Sequence, residues 1–400
     1  MTSPASLPDL SAAPAEDFLT LADTDGFRLL RRGRFLRADL KKPHLVLSTS
    51  HVNGGQAEVI RHLLNHQSSE GKGHTARHDL LVGQGQAAYH AMACREAGIP
   101  PDASAIMGTA ANMQYAAVRA ETFGETTVWA VVTAGVQGNA GRAGDPATWH
   151  ESAEAGGAWR PVHAVPGTIN TMVIFDWPLL PGALARAAAT MTEAKTAALL
   201  ELAVGSRYSP QLATGTGTDQ FCLASPVDAA RIPKTWTGNH SKLGEILGQA
   251  VLKSTKEALR WQNGMEPSYT RNLVHALGRF GVEEAKLLEA ACAHLEEADR
   301  GLLRANFQAV MHEPMAAGAA YALAAVADRI AYGTLPGEAG RELLAVQASL
   351  LAAGLAAKTE AYPAFRAALA SLGDAGDSPV SNLPALVARA VALGWREKWK

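Results

Sequence analysis

Cysteine is scarce: three in 400 residues, Cys94, Cys222 and Cys292, widely scattered and with no Cys-x-x-Cys pair. That spacing excludes a disulfide framework and a thiolate zinc site. Cys222, inside an apolar run, is expected in the core. Charge is sparse as well. Charged residues make up 18% against 48% hydrophobic, and 36 Lys and Arg nearly cancel 38 Asp and Glu to a net −2. This argues against a nucleic-acid partner gripped through its phosphates and against extensive disorder. No stretch nears the roughly 18 uninterrupted apolar residues of a membrane helix. The acidic, Pro- and Ala-rich start MTSPASLPDLSAAPAED lacks the basic and apolar segments of a secretion signal. The expectation is a soluble cytoplasmic enzyme with neither nucleic-acid nor membrane partners.

What is present divides the chain by texture. Residues 1–24 read as a flexible tail, 25–262 as a catalytic domain and 263–400 as an all-helical C-terminal domain. Phe27–Leu40 reads as a hairpin turning at Arg32-Gly33. His44–Ser50 is a short buried strand ending at Asn53-Gly54-Gly55, and helical spacing follows to His66. Ala87–Ala97 reads as a helix stopped by Gly98-Ile99-Pro100-Pro101. Thr126–Val136, Gly167–Asp176 and Thr218–Ala224 have strand length and composition. Gly182–Ala203 and Leu243–Trp261 read as helices. Beyond Asn263-Gly264, Ala, Leu and Glu at helical spacing predict five or six helices, broken at Gly278–Gly281, Pro336-Gly337 and Gly373–Pro379. The fold class is therefore α+β, a layered sheet-and-helix domain, with an all-α helical domain after it. The apolar stripes of the last helices suit either packing within the bundle or a homo-oligomer.

Four small-residue motifs mark the strand ends: Asn53-Gly54-Gly55; Thr133-Ala134-Gly135 with Asn139; Gly167-Thr168-Ile169-Asn170-Thr171; and Thr214-Gly215-Thr216-Gly217-Thr218-Asp219, followed by Gly238-Asn239-His240. Glycine lets successive backbone N–H groups point into one concavity, and Thr and Asn add neutral donors and acceptors. Such surroundings suit a polar uncharged group, or an oxyanion formed from one, better than a polyphosphate. Any one motif alone reads as a turn. Four at successive strand ends predict one cleft along a sheet edge.

The ordered runs VVTAGVQGNAGRAG, GTINTMVIFD, EAKTAALLEL, LATGTGTD and GNHSKLGE resemble the adenosylcobinamide amidohydrolases across about Leu45–Leu259. LSTSHVNGG and Asn65 extend the likeness toward the N-terminus, while the helical C-terminal third is not covered. The resemblance implies hydrolysis of the amide joining aminopropanol to the corrin ring, giving adenosylcobyric acid in coenzyme B12 salvage. It implies a small-molecule corrinoid substrate that carries its own cobalt, with no cofactor required. The alternative is a corrinoid-binding protein without turnover.

Amide hydrolysis needs a nucleophile, a proton carrier and oxyanion donors. Asp219 is the candidate carboxylate, or else a loop cap; His240 is the best-placed imidazole, or else a helix-start residue. Thr168 and Asn170 are expected to line the site. A weaker resemblance of NTMVIFD and TGTGTD to the ornithine acetyltransferase and β-aminopeptidase fold would make Thr171 a nucleophile freed by cleavage. Asn53, Gly54, Gly55, Asn65, Thr133, Gly135, Asn139, Gly167, Thr214, Gly215, Thr216, Gly217 and Thr218 are candidate substrate-binding positions. Lys195 joins them through the family likeness, whereas Glu193, two residues away, points elsewhere on the helix.

No metal is expected. His62-x-x-x-His66 has zinc-peptidase spacing on an expected helix, yet Leu63 stands where the general base belongs, and glycines interrupt the repeat at His74 and His78. Gly83-x-Gly85-x-x-Ala88 imitates a dinucleotide loop after a strand, but no acidic residue closes a βαβ unit. It reads as a strand-to-helix turn, and a nucleotide-dependent oxidoreductase would rest on it alone.

Overall fold

The structure is a computed structural model that describes residues 18–69, 76–147, 149–152, 158–161, 167–370 and 379–400. The chain runs through β1 (Leu19–Asp23), β2 (Phe27–Arg32), β3 (Phe35–Leu40), β4 (His44–Ser48), β5 (Gly55–Ala57) and β6 (His62–Gln67) to α1 (Ala76–Ala97). Next come β7 (Ser104–Thr109), β8 (Ala117–Phe123), β9 (Thr126–Gly135), β10 (Ala140–Gly141), β11 (Trp149–Ser152), β12 (Ala158–Pro161) and β13 (Thr168–Phe175). Then follow α2 (Pro181–Glu201), β14 (Gly215–Thr216), β15 (Gln220–Pro226) and α3 (Lys242–Asn263). The expected hairpin at Gly33 and the strands and helices expected at β4, β9, β13, β15, α2 and α3 are all present. β1 is a correction: part of the expected tail pairs antiparallel with β2.

Two compact units interleave along the sequence, in contrast to the expected division at 25–262 and 263–400. The first takes the chain up to Thr133, Asn170–Met191 and Gln220–Val251. The second takes Ala134–Ile169, Thr192–Asp219 and Leu252–Lys400.

In the first unit, one sheet has the order β1-β2-β3-β6-β7 and the other β5-β4-β15-β13-β9-β8. Alternating side chains put Leu29, Leu36, Leu63 and Met107 of the first sheet in one core with Val46, Val131, Met172 and Cys222 of the second. Burial pushes the Cys222 thiol up to about 12, so this cysteine is a core group, as its sequence context predicts. The opposite face of the first sheet, through Phe35, Leu64 and Ile106, packs on Tyr89, Ala93 and Cys94 of α1. β13 and β15 are parallel neighbours, so α2 is the crossover that such a pair requires. The α+β class therefore holds.

Two expected helical features are corrected here. The stretch to His66, Asn65 included, is strand β6, and its histidines have separate partners. His62 Nδ1 lies 2.7 Å from Asp39 Oδ1, while His66 stacks on Phe35 and meets the Tyr89 hydroxyl at 2.8 Å. His74, half of the second pair, lies outside the described residues. Gly83 and Gly85 lie within α1, where Gly85 at φ 84° makes a kink, so the residues directly before them are helical.

Asp39 allows a pH prediction. Burial pushes its carboxyl up, but the His62 hydrogen bond and Arg37, at 2.9 Å, outweigh burial and hold it below the usual range. A folded value below the unfolded one stabilises the fold above about pH 4, and the contribution is lost as pH falls through the lowered value. The gap in melting temperature between wild type and Asp39→Asn is thus expected to be full at neutral pH and to close on acidification; a gap independent of pH would refute this.

In the second unit, eight helical segments follow Met265 among the described residues, against five or six expected: α4 (Pro267–Thr270), α5 (Leu273–Leu277), α6 (Glu284–Cys292), α7 (Glu297–Met311), α8 (Pro314–Ala331), α9 (Gly337–Ala356), α10 (Tyr362–Leu369) and α11 (Leu383–Lys398). The excess lies in single turns such as α4 and α5. Their core joins Leu277, Leu323, Leu351 and Val391. Among the described residues no helix is long and apolar enough to cross a membrane.

Candidate functional site

The motif Thr214–Asp219 folds back on its own carboxylate. Asp219 Oδ1 accepts from the Ile169 N–H at 3.0 Å and the Thr216 hydroxyl at 2.5 Å. Oδ2 accepts from the Thr216 N–H at 3.1 Å and from the Lys195 ammonium. The side chains of Lys195 and Asp219 are 11% and 19% exposed. A carboxylate has about four acceptor sites, and four donors fill them. Three segments meet here: α2 supplies Lys195, the start of β13 supplies Ile169, and the Gly/Thr loop supplies the rest.

The loop itself is locked. The Thr168 hydroxyl donates to the Thr218 carbonyl at 2.6 Å, and the Thr218 hydroxyl donates to the Gly167 carbonyl at 2.7 Å. Asn139 donates to that same Gly167 carbonyl at 3.0 Å and accepts from the Tyr208 hydroxyl at 2.6 Å. β10 pairs with β14, setting Ala140 opposite Thr216. Thr214 accepts from the Ala143 N–H through its hydroxyl at 2.9 Å. Gly215 is required by space: a Cβ there would lie 2.4 Å from Asp219 Oδ2 and 2.8 Å from Lys195 Nζ. At Gly167 a Cβ would fall 2.9 Å from that of Asn139 and 3.1 Å from the Gly135 carbonyl. Glu193 is exposed while Lys195 is buried, as their spacing on α2 predicts.

The first unit holds a second, neutral cluster. Asn170 donates to the Asn65 side-chain oxygen at 2.9 Å and to the Gly108 carbonyl at 3.1 Å. Asn65 donates to the Thr133 hydroxyl at 2.7 Å, and the Gly108 N–H reaches Gln220 at 2.8 Å. Asn65, Thr133, Asn170 and Gln220 stand two residues from Leu63, Val131, Met172 and Cys222, so all four continue the inner faces of their strands. The apolar layer between the sheets thus ends in buried amides and a hydroxyl. Thr171 is 2% exposed and lies on the other face of β13 from Asn170.

Two predicted positions have local duties in the first unit. Asn53, at φ 57°, donates to the Pro101 and Ser104 carbonyls at 2.8 and 3.0 Å. A Cβ at neighbouring Gly54 would lie 1.9 Å from the Ser50 carbonyl oxygen. Asn53-Gly54-Gly55 is therefore a braced turn. His240 is exposed at φ 71°. Its neighbour Ser241 caps α3 by accepting from the Gly244 N–H at 3.0 Å. Sequence reasoning missed Tyr208, Gly108 and Gln220, which sit in runs with no distinguishing spacing. Among the described residues no three His, Cys, Asp or Glu side chains converge as a metal site would require.

An α+β protein with a lysine-paired aspartate on a Gly/Thr loop has the makings of a proton-transfer site for acyl chemistry. The chain belongs to the adenosylcobinamide amidohydrolase family, whose profile matches residues 20–267. It is also 37% identical over 178 residues to an uncharacterised protein of Methanocaldococcus jannaschii, a stretch covering 43% of this chain and 68% of that protein. Residues 268–400 lie outside the family match.

Proposed function

We propose that the protein hydrolyses the amide linking aminopropanol to the corrin ring of adenosylcobinamide, releasing adenosylcobyric acid. Family membership supports the substrate, and one geometric observation supports the chemistry: the Thr216 hydroxyl donates to the half-buried Asp219 carboxylate at 2.5 Å. Asp219's other three donors are two backbone N–H groups and Lys195. Thr216 is the hydroxyl among them, so a proton taken by Asp219 from an attacking oxygen comes from Thr216.

The step follows. Thr216 Oγ bonds to the amide carbon while its proton passes to Asp219, and Lys195 offsets charge in the pair. The C–N bond breaks as Asp219 returns the proton to the leaving nitrogen, freeing aminopropanol and leaving an ester on Thr216. Water then cleaves the ester to the carboxylate and restores the hydroxyl. Lining roles for Thr168 and Gly167–Thr218 belong to this proposal.

The test is incubation with adenosylcobinamide and chromatography for adenosylcobyric acid. Thr216→Ser, which keeps the hydroxyl, is expected within about tenfold of wild type, and Thr216→Ala is expected to fall by about a thousandfold. Intact-mass measurement during turnover is expected to show the acyl adduct on Thr216. Thr216→Ala turning over at the wild-type rate rules out this nucleophile. Binding without product, whatever the pH or added metal, replaces the hydrolase by a corrinoid binder.

A further inference from the structure

The segment between Lys195 and Asp219 is a small closed hairpin. The Ala213 N–H donates to the Val204 carbonyl at 2.8 Å and the Ser206 N–H to the Gln211 carbonyl at 2.8 Å, with Gly205 bridged to Leu212. Its far end runs straight into Thr214-Gly215-Thr216. Val204 and Ala213 bury its base, and hydrogen bonds from Ser206 to Asp145, Arg207 to the Gln137 carbonyl and Tyr208 to Asn139 hold one side of SRYSPQL. Arg279, in the turn after α5 and beyond the family match, adds a further anchor. One arm of its guanidinium donates to the Pro210 carbonyl at 2.7 Å, at the hairpin tip. The same guanidinium meets Asp328 of α8 through two bonds of 2.5 and 2.7 Å. The Arg279 and Asp328 side chains are 5% and 13% exposed. The Arg279 stem lies against Gly205, where an added Cβ would sit 3.3 Å from its own. His275 Nε2 holds the Leu202 carbonyl at 2.8 Å, at the hairpin's other end.

We propose that Arg279 is a positioning residue for the Lys195–Asp219 site, gripping residues 202–213 at base and tip so that the Gly/Thr loop presents Thr216 to its carboxylate. The helices after residue 267 are then the clamp on the loop that carries the chemistry. This rests on the hydrolase reading above. A planar guanidinium fixed by a bidentate carboxylate is suited to the task, because the second N–H of the nitrogen bonded to Asp328 then has a fixed direction, toward Pro210.

Removing Arg279 alone strands Asp328 as a buried charge and can unfold the protein, so the informative variant of the full chain is Arg279→Met/Asp328→Leu. Replacing both partners with apolar groups of similar size keeps stability near wild type. Two readouts are taken: hydrogen exchange of residues 202–219, and kcat and KM with adenosylcobinamide. The expected result is exchange in that segment faster by about tenfold or more, and kcat lower by about tenfold with KM within about twofold. A merely structural pair would leave kcat alone in a variant that melts like wild type. Unchanged exchange overturns the clamp, and faster exchange with unchanged kcat overturns the positioning role. If the wild-type control makes no product, the hydrolase reading has failed, and with it the site to be positioned; the exchange result then decides only whether Arg279 grips the hairpin.

Discussion

Asp219→Asn is expected to lower kcat by about a thousandfold with KM little changed, the range lost when a positioned proton carrier is removed. The asparagine oxygen can still accept from Ile169 and Thr216, which keeps the loop drawn in. It cannot take the Thr216 proton, and its amide N–H groups face the Lys195 ammonium, donor against donor. Lys195 is left nearly buried without its anion, and breaking a buried pair on one side costs about 3–5 kcal/mol. The melting temperature is therefore expected to fall too. Lys195→Met/Asp219→Leu separates the two effects: with both charges gone, stability is expected to recover while activity does not. Rates and melting curves for the three proteins check this. An Asp219→Asn enzyme within tenfold of wild type would remove the carboxylate from the chemistry.

Gly215→Ala is expected to be nearly as severe, although it changes no polar atom. Its methyl would sit 2.4 Å from Asp219 Oδ2 and 2.8 Å from Lys195 Nζ, closer than any carbon approaches such atoms. One partner must withdraw, and neither has room to do so without losing hydrogen bonds. Overpacking alone costs about 1–3 kcal/mol, and separation of the ion pair adds to it. Gly217→Ala is the control two residues on. There the nearest atoms, those of the Asn139 amide, are 3.7 Å away, an ordinary contact, so melting is expected to stay close to wild type. Equal effects at both glycines would mean that the loop responds to lost flexibility and not to the pair.

Much of the fold was legible because its strands begin and end in turn-forming residues. The β2–β3 hairpin was readable from apolar positions on one face around Arg32-Gly33, and β4, β9, β13 and β15 from β-branched or apolar runs beside small residues. β6 was not, for a physical reason. Its sequence HLLNHQ places Leu63 in the core between the sheets and Leu64 against α1. A strand buried on both faces has no polar alternation, and with Ile60 the leucines imitate a helical stripe. β1 was missed because an edge strand with half-exposed positions carries little pattern. The Gly83/Gly85 pair imitated a ligand loop because a kinked helix also recruits glycine.

At the candidate site, the Gly/Thr loop and Asp219 stood out as five small or hydroxylated residues running into a carboxylate. Lys195 was visible only through the family likeness, because its partner lies 24 residues away, beyond a closed hairpin. His240 attracted attention as the imidazole in a glycine-rich motif. The structure accounts for that motif by the start of α3: Ser241 caps the helix, and a Cβ at Gly244 would lie 2.1 Å from the Gly238 carbonyl oxygen.

The hairpin grip has a consequence for biosynthesis. Asp219 leaves the ribosome well before Arg279, and Asp328 emerges later still; at about 5–20 residues per second the nascent chain spends seconds before the Arg279 grip can form. On the reading proposed above, the grip on the Gly/Thr loop is complete only once the distal helices have been translated. A fragment trimmed to the family-matched stretch would keep Lys195, Thr216 and Asp219 yet lack the Arg279 guanidinium.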